Sequence, residues 1–188
     1  MKKLLLAAML LSLGCSAQAV EVEGVKVADS VHVGSSDLVL NGAGLRSVFI
    51  IDLYVAALYL DAKQVSAAGV LANAADKRIS LHLKRDITAE HLLSAFKKAM
   101  EKNHTPQELQ ALQGPLQQFE QVFGKVGEAK EGSVINLDYR HDAGTVVTVN
   151  GVEQGVIPGA AFYGALMKIW LGEKPAQDDL KKKLLGGH

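Results

Sequence analysis

Cysteine occurs once in the 188 residues, at position 15, and proline only four times. A chain with one thiol forms no internal disulfide and offers no multi-thiolate metal centre. An excess of either charge is also missing, since 20 basic residues balance 20 acidic ones. Nucleic-acid-binding domains carry a clear basic excess, so that class is set aside. No P-loop, Gly-x-Ser-x-Gly elbow or paired-histidine zinc helix occurs. His32, His82, His91, His104, His141 and His188 are scattered without ligand spacing, so no metal and no other cofactor is expected. His141-Asp142 and the acid pair Asp138 and Asp142 fall where a hairpin turn is expected and read as solvated turn residues.

What the chain does have begins at Met1. Lys2 and Lys3 make a positive start, and Leu4 to Leu13 form an apolar run. That run is too short to cross a bilayer, which takes about 20 apolar residues. Ala17-Gln18-Ala19 then fits the small-x-small rule for cleavage before Val20, the pattern of a secretory signal peptide. Cys15 raises a lipoprotein alternative. Gly14 suits it, but Ser12 stands where the motif needs leucine. Cleavage after Ala19 removes the only cysteine and leaves 169 residues (188 less 19), with 18 basic residues against 20 acidic ones. A two-lysine start without twin arginines looks bacterial, so the expected destination is the periplasm. Residues 1–19 are read as the signal peptide and 20–188 as one domain, large enough for a substantial core and without an integral membrane segment.

Along the domain, residues 20–33 alternate in short stretches and read as one or two strands. Residues 37–41 continue extended, and 45–60 are rich in Val, Ile, Phe and Tyr. The latter fit two strands meeting near Asp52-Leu53. The alanine-rich stretch 61–75 is expected to be helical. Residues 78–85 alternate, with Ile79, Leu81 and Leu83 on one face. Thr88 caps a helix whose Leu92, Phe96, Ala99 and Met100 share a face. Thr105-Pro106-Gln107-Glu108 is a capping box with proline at the first helical position. The helix it opens runs through Leu109, Leu112, Leu116, Phe119 and Phe123, with a kink expected at Gly114-Pro115. Residues 134–140 and 145–149 form a hairpin, Asn150-Gly151 turns into 152–157, and helices follow over 159–171 and 176–185. This order gives an α+β domain with an antiparallel sheet carrying helices on one face.

The most distinctive stretch is Leu40-Asn41-Gly42-Ala43-Gly44-Leu45-Arg46. A dinucleotide fingerprint fails here, because the third glycine is missing and a strand-like run follows. Gly42-Ala43-Gly44 reads instead as a turn presenting Arg46 at the head of an apolar strand. Such an arginine either faces solvent or holds a carboxylate or enolate oxygen bidentately at the edge of an apolar pocket. Tyr54 and Tyr59 are candidate hydroxyl donors. Their odd separation puts them on opposite faces of an ideal strand, so only one can join Arg46.

That block, followed by Tyr54-Val55-Ala56-Ala57-Leu58-Tyr59-Leu60, resembles the chalcone isomerase-like family. The likeness continues in Lys84-Arg85-Asp86-Ile87-Thr88-Ala89-Glu90, Ala161-Phe162-Tyr163-Gly164-Ala165-Leu166 and Ile169-Trp170-Leu171-Gly172-Glu173-Lys174-Pro175. It implies an open-faced β-sandwich, a large antiparallel sheet covered by a helical layer, with a ligand cleft between them. In the plant isomerases of this family an arginine stabilises phenolate and enolate oxygens, aided by threonine, tyrosine and asparagine. Arg46 matches the arginine. Tyr54 stands where the first threonine falls, His91 near the place of the tyrosine, Asn103 near but out of register with the asparagine, and Ile169 at the late threonine. The resemblance therefore carries over only the arginine, and the fatty-acid-binding relatives, which pair arginine with tyrosine at a carboxylate, are closer.

Three functions remain. The favoured one is a non-catalytic periplasmic protein binding a fatty acid or similar amphipathic carboxylate, with Arg46 and Tyr54 at the head group and Phe49 and Phe162 around the tail. The second is an intramolecular lyase of the isomerase type, with Arg46 as the catalytic enolate stabiliser. The third is an accessory or structural envelope protein in which Arg46 is a turn residue. Intact mass of the exported protein is expected to show a chain starting at Val20; a chain starting at a lipid-modified Cys15 is the contrary result.

Overall fold

Short alternating stretches make the first half of the chain fold as hairpins, as a computed structural model shows for residues 19–187. Cys15 and all of the expected leader but Ala19 lie outside the described residues. β1 (Ala19–Val22) pairs with β2 (Val25–Ala28), and β3 (Ser30–Val33) pairs with the long β4 (Ser36–Val48). β5 (Ile51–Leu60) returns along β4, helix α1 (Ala67–Ala72) follows, and β6 (Lys77–Leu83) pairs with β5. β7 (Ile87–Thr88) leads into α2 (Ala89–Asn103), α3 (Pro106–Ala111) and α4 (Gln113–Gly124). β8 (Glu128–Ala129), β9 (Val134–Arg140), β10 (Gly144–Val149) and β11 (Val152–Ile157) come next, then α5 (Ala160–Leu171) and α6 (Asp178–Leu184). Seven strands make one antiparallel sheet in the order β11-β10-β9-β6-β5-β4-β3. The expected α+β class, a large antiparallel sheet under a helical layer, is what the chain adopts.

The two faces of the sheet explain the sequence pattern. On the helical side Tyr54, Ala56, Leu58 and Leu60 join Ile79, Leu81, Ile135 and Leu137 beneath α2, α4, α5 and α6. On the other side Val55, Ala57 and Tyr59 are covered by Val27 and the rest of the β1–β2 hairpin. β5 is thus apolar on both faces and reads as a continuous run, whereas β6 and β9 have an open outer face and alternate. The open face is polar and internally bonded. Arg78 forks onto Asp138 at 2.5 and 2.6 Å, and Ser80 donates to Asn136 at 2.6 Å. Asp138 is therefore a buried ion-pair partner within β9 and not the solvated turn residue that sequence suggests, whereas His141 is an exposed turn residue that also bonds Asp76 at 2.8 Å.

Local signals held where the chemistry is local. Thr88 caps α2 by accepting from the His91 amide, and the Thr105–Glu108 capping box is complete. Asn150 and Gly151 take φ of 51° and 79°, as a two-residue hairpin turn requires. Three expectations changed. The helix over 61–75 contracts to Ala67–Ala72, started by Ser66. The helix after Thr105 breaks at Leu112, between α3 and α4, because the Pro115 ring cannot follow the carbonyl of Ala111. The turn between the two apolar strands lies at Phe49-Ile50, with Asp52 inside β5.

Gly42-Ala43-Gly44 is also not a turn, for it lies within β4. Gly42 faces Leu58 and Gly44 faces Ala56, so both point to the helical side, where α6 crosses. A Cβ on Gly42 would overlap the Lys183 carbonyl oxygen, and one on Gly44 would come within 2.9 Å of the Lys183 side chain. The glycines let α6 rest almost on the strand backbone while Leu180 and Leu184 bury completely beside them. A bulge at Asn41 finishes the seat: its amide donates to the Leu184 carbonyl at 2.7 Å and to the Gln64 carbonyl at 2.9 Å, and its oxygen accepts from Gln64 N at 2.7 Å. Gly42→Ala is expected to cost about 1–3 kcal/mol through overpacking, a fall of several degrees in Tm at roughly 2–4 °C per kcal/mol. Gly114→Ala, where a Cβ meets nothing within 4 Å, is expected to be neutral or stabilising in the same thermal melt.

Candidate ligand site at the head of the β4–β5 hairpin

The alternation that points Gly42 and Gly44 at α6 points Arg46 the same way. Arg46 stands opposite Tyr54 on β5 and reaches the beginning of α6. Its Nη1 donates to the Gln177 side-chain oxygen at 3.2 Å and, closely, to the Ser47 carbonyl. Gln177 Oε1 also accepts from the Ser47 amide at 3.0 Å, so one carboxamide oxygen ties strand and helix together. Among the described residues no carboxylate pairs with Arg46, in contrast to Arg78 on the opposite face.

Tyr54 is 8% exposed, and its hydroxyl accepts from Trp170 Nε1 at 3.1 Å. Burial raises its pKa above the ordinary phenol value, although the Trp170 bond and the Arg46 charge pull the other way. The hydroxyl is therefore neutral at physiological pH and keeps a proton to donate. Tyr59 lies on the other face, as the odd spacing requires, where burial pushes its pKa up to about 12. Tyr54 alone joins Arg46.

The site separates two environments. Outside it, a cleft of about 310 Å³ is lined by Leu45, Ser47, Gln177, Lys182 and Lys183, with the acids Glu23 and Asp179. Inside it is the helix–sheet core, where the Phe119 ring lies 4.5 Å from that of Phe96 and 5.4 Å from that of Phe162. A cationic fork and a neutral hydroxyl at such a boundary suit an anionic oxygen attached to an apolar body.

The other expected residues fall elsewhere. Phe49 is at the hairpin tip, 99% exposed, and does not enter the cluster. Phe162 is buried in the aromatic group at the start of α5, eight residues or about 12 Å along the helix from Trp170. His91 lies exposed beside its cap partner Thr88, and Asn103 ties α2 to Lys174 at 2.8 and 3.1 Å. Trp170 and Gln177 were not foreseen. The only tryptophan in an apolar helix carries one signal, an indole N–H that needs an acceptor once buried; Gln177 carries none. A second cleft, of about 190 Å³, lies between α1 and α5, near Lys77. Lys77 is opposite Leu60, six residues or about 20 Å along β5 from Tyr54. Its ammonium bonds the Val70 and Asn73 carbonyls, so it closes the end of α1.

A family model described as chalcone isomerase-like matches residues 19–186. Among solved structures, the crystal structure of a fatty-acid binding protein of Arabidopsis thaliana is similar, with a TM-score of 0.66 at 19% identity. The likeness covers 89% of this chain and 96% of that one. A comparison with curated protein sequences finds no significant match. At this identity the structural likeness concerns the fold.

Tyr54→Phe is expected to strand the buried indole N–H, costing about 1–3 kcal/mol. A lower melting temperature and a shifted emission band of the single tryptophan check it; an unchanged melt and spectrum contradict it.

Proposed function

The chain belongs to the chalcone isomerase-like family, and on that footing we propose that it is a non-catalytic binding protein for a fatty acid or similar amphipathic carboxylate. The observation that carries this reading is Arg46, a guanidinium without a carboxylate partner among the described residues, beside the neutral Tyr54 hydroxyl at the edge of an apolar interior. The ligand carboxylate takes the guanidinium fork, displacing the Gln177 oxygen, and accepts a second bond from Tyr54. The acyl chain runs into the helix–sheet interface. Phe96, Phe119 and Phe162 are in contact there, so a chain enters by displacing them. The proposal includes export: with residues 1–19 removed, the domain is proposed to work in the periplasm, where acyl lipids are abundant. The exposed His91, standing near the place of the family's catalytic tyrosine, offers nothing to the buried site and weighs against conjugate-addition chemistry.

Charge-assisted bonds to a carboxylate contribute about 1.5–3 kcal/mol, so Arg46→Ala is expected to weaken binding of a long-chain fatty acid at least about tenfold. Trp170 fluorescence during titration measures it, and native mass spectrometry of protein purified without detergent is expected to show bound lipid. Protein that carries no lipid and ignores added fatty acid contradicts the proposal.

A further inference from the structure

The turn that joins β4 to β5 is built against the usual rules. It holds no glycine, asparagine or proline; it holds Phe49 and Ile50, 99% and 97% exposed. Phe49 takes φ of 55°, the left-handed region that a bulky residue rarely adopts. Val48 and Ile51 on either side are 37% and 43% exposed. Water repays none of this exposure, and the turn's own geometry would favour glycine. The tip stands about 13 Å beyond Tyr54, where pairing with β6 ends.

We propose that this tip is a membrane-docking element which inserts Phe49 and Ile50 into a lipid bilayer. The shape of the patch favours a bilayer over a protein partner. A stable protein interface buries roughly 1,200–2,000 Å² in all, and a knob of two side chains offers a small part of that without a flat surround. A bilayer needs only the inserted side chains and suitable charge behind them. That charge is present. Lys84 N donates to the Leu53 carbonyl at 2.9 Å, which places Lys84 and the exposed Arg85 at the base of the hairpin. Of the acids nearby, Asp86 is paired with Lys130 at 3.0 Å, whereas Asp52 is bonded by the Ser47 hydroxyl at 2.7 Å and keeps its charge. The Lys84 ammonium donates to the Glu23 carbonyl at 2.7 Å, which leaves Arg85 as the free cation at the base among the described residues. Arg85 forms no ion pair among the described residues, and such basic groups match anionic headgroups.

Depth links the tip to the ligand site, and this step rests on the function proposed above. Interfacial elements bury their apolar residues about 5–10 Å into the headgroup–acyl boundary, and Arg46 lies three residues behind Phe49, about 10 Å along the strand. With the tip inserted, Arg46 sits at headgroup depth, where the carboxylate of a membrane-dissolved fatty acid lies. Docking therefore lets the ligand pass between bilayer and protein without crossing water.

The test is flotation of the mature chain, starting at Val20, with vesicles of equimolar phosphatidylcholine and phosphatidylglycerol. The wild type is expected to float with the vesicles, and the double variant Phe49→Gly with Ile50→Ser to bind at least about tenfold more weakly. Glycine suits φ of 55°, so this variant is expected to melt no lower than the wild type. It is also expected to take up free fatty acid, below its aggregation concentration, as the wild type does. Tip-dependent flotation without any fatty-acid uptake supports docking and removes the ligand reading alone. Wild-type protein that stays with the buffer, a tip variant that floats equally well, or a tip-dependent dimer in sedimentation overturns docking.

Discussion

Helix α6 lies closer to strand β4 than side chains permit, and much of the molecule is arranged around that approach. Gly42 and Gly44 leave the strand bare where Lys183 and Leu184 cross it. Asn41 bulges from the strand to bond the end of the helix, and Arg46 meets its beginning through Gln177. One face of one strand thus carries a clasp, a seat and a cation at intervals set by the two-residue period of a strand. The same clasp holds the segment before α1 through Gln64, so the distinctive Asn41–Arg46 block serves packing along most of its length. Only its last residue is left with spare bonding capacity.

Two arginines on opposite faces of the sheet show why that capacity matters. Arg78, on the outer face of β6, is matched by Asp138 two strands' width from β5, and the pair's charge is settled within the sheet. Burial alone would disfavour the Arg78 charge, but the Asp138 contact more than offsets it and holds the pKa up. Arg46, on the helical face of β4, is given an amide oxygen and a backbone carbonyl instead. Neutral oxygens satisfy a guanidinium's geometry but leave its charge for another partner. Tyr54, held neutral by burial and oriented by Trp170, adds a donor beside it.

The hairpin that carries Arg46 and Tyr54 also carries, at its tip, the most exposed large apolar residues among those described. Phe49 and Ile50 pack against nothing, while residues a few positions away on both strands are buried. This gradient along one hairpin, from an exposed apolar tip through a cationic collar to an apolar interior, joins the surface to the proposed ligand site in about 13 Å. The strand pair sets its direction, and α5 and α6 complete its inner end through Trp170 and Gln177.

By itself the sequence determined whatever depends on near neighbours. Alternation in 78–85 and 134–140, the Thr105–Glu108 capping box, the Asn150-Gly151 turn and the opposite faces of Tyr54 and Tyr59 all follow from local backbone geometry. The family likeness pointed at Arg46, and the strand period left Tyr54 or Tyr59 as its neighbour. Tertiary structure decided the rest. Gly42 and Gly44 look like a turn until α6, about 140 residues away, is seen lying on them. The β4–β5 turn escaped notice because Phe49-Ile50 lacks every residue that marks a turn. Trp170, Gln177 and the Arg78–Asp138 pair acquire roles only from partners far along the chain. Helix and strand periods specify which way a side chain points; what it meets there is specified by folding.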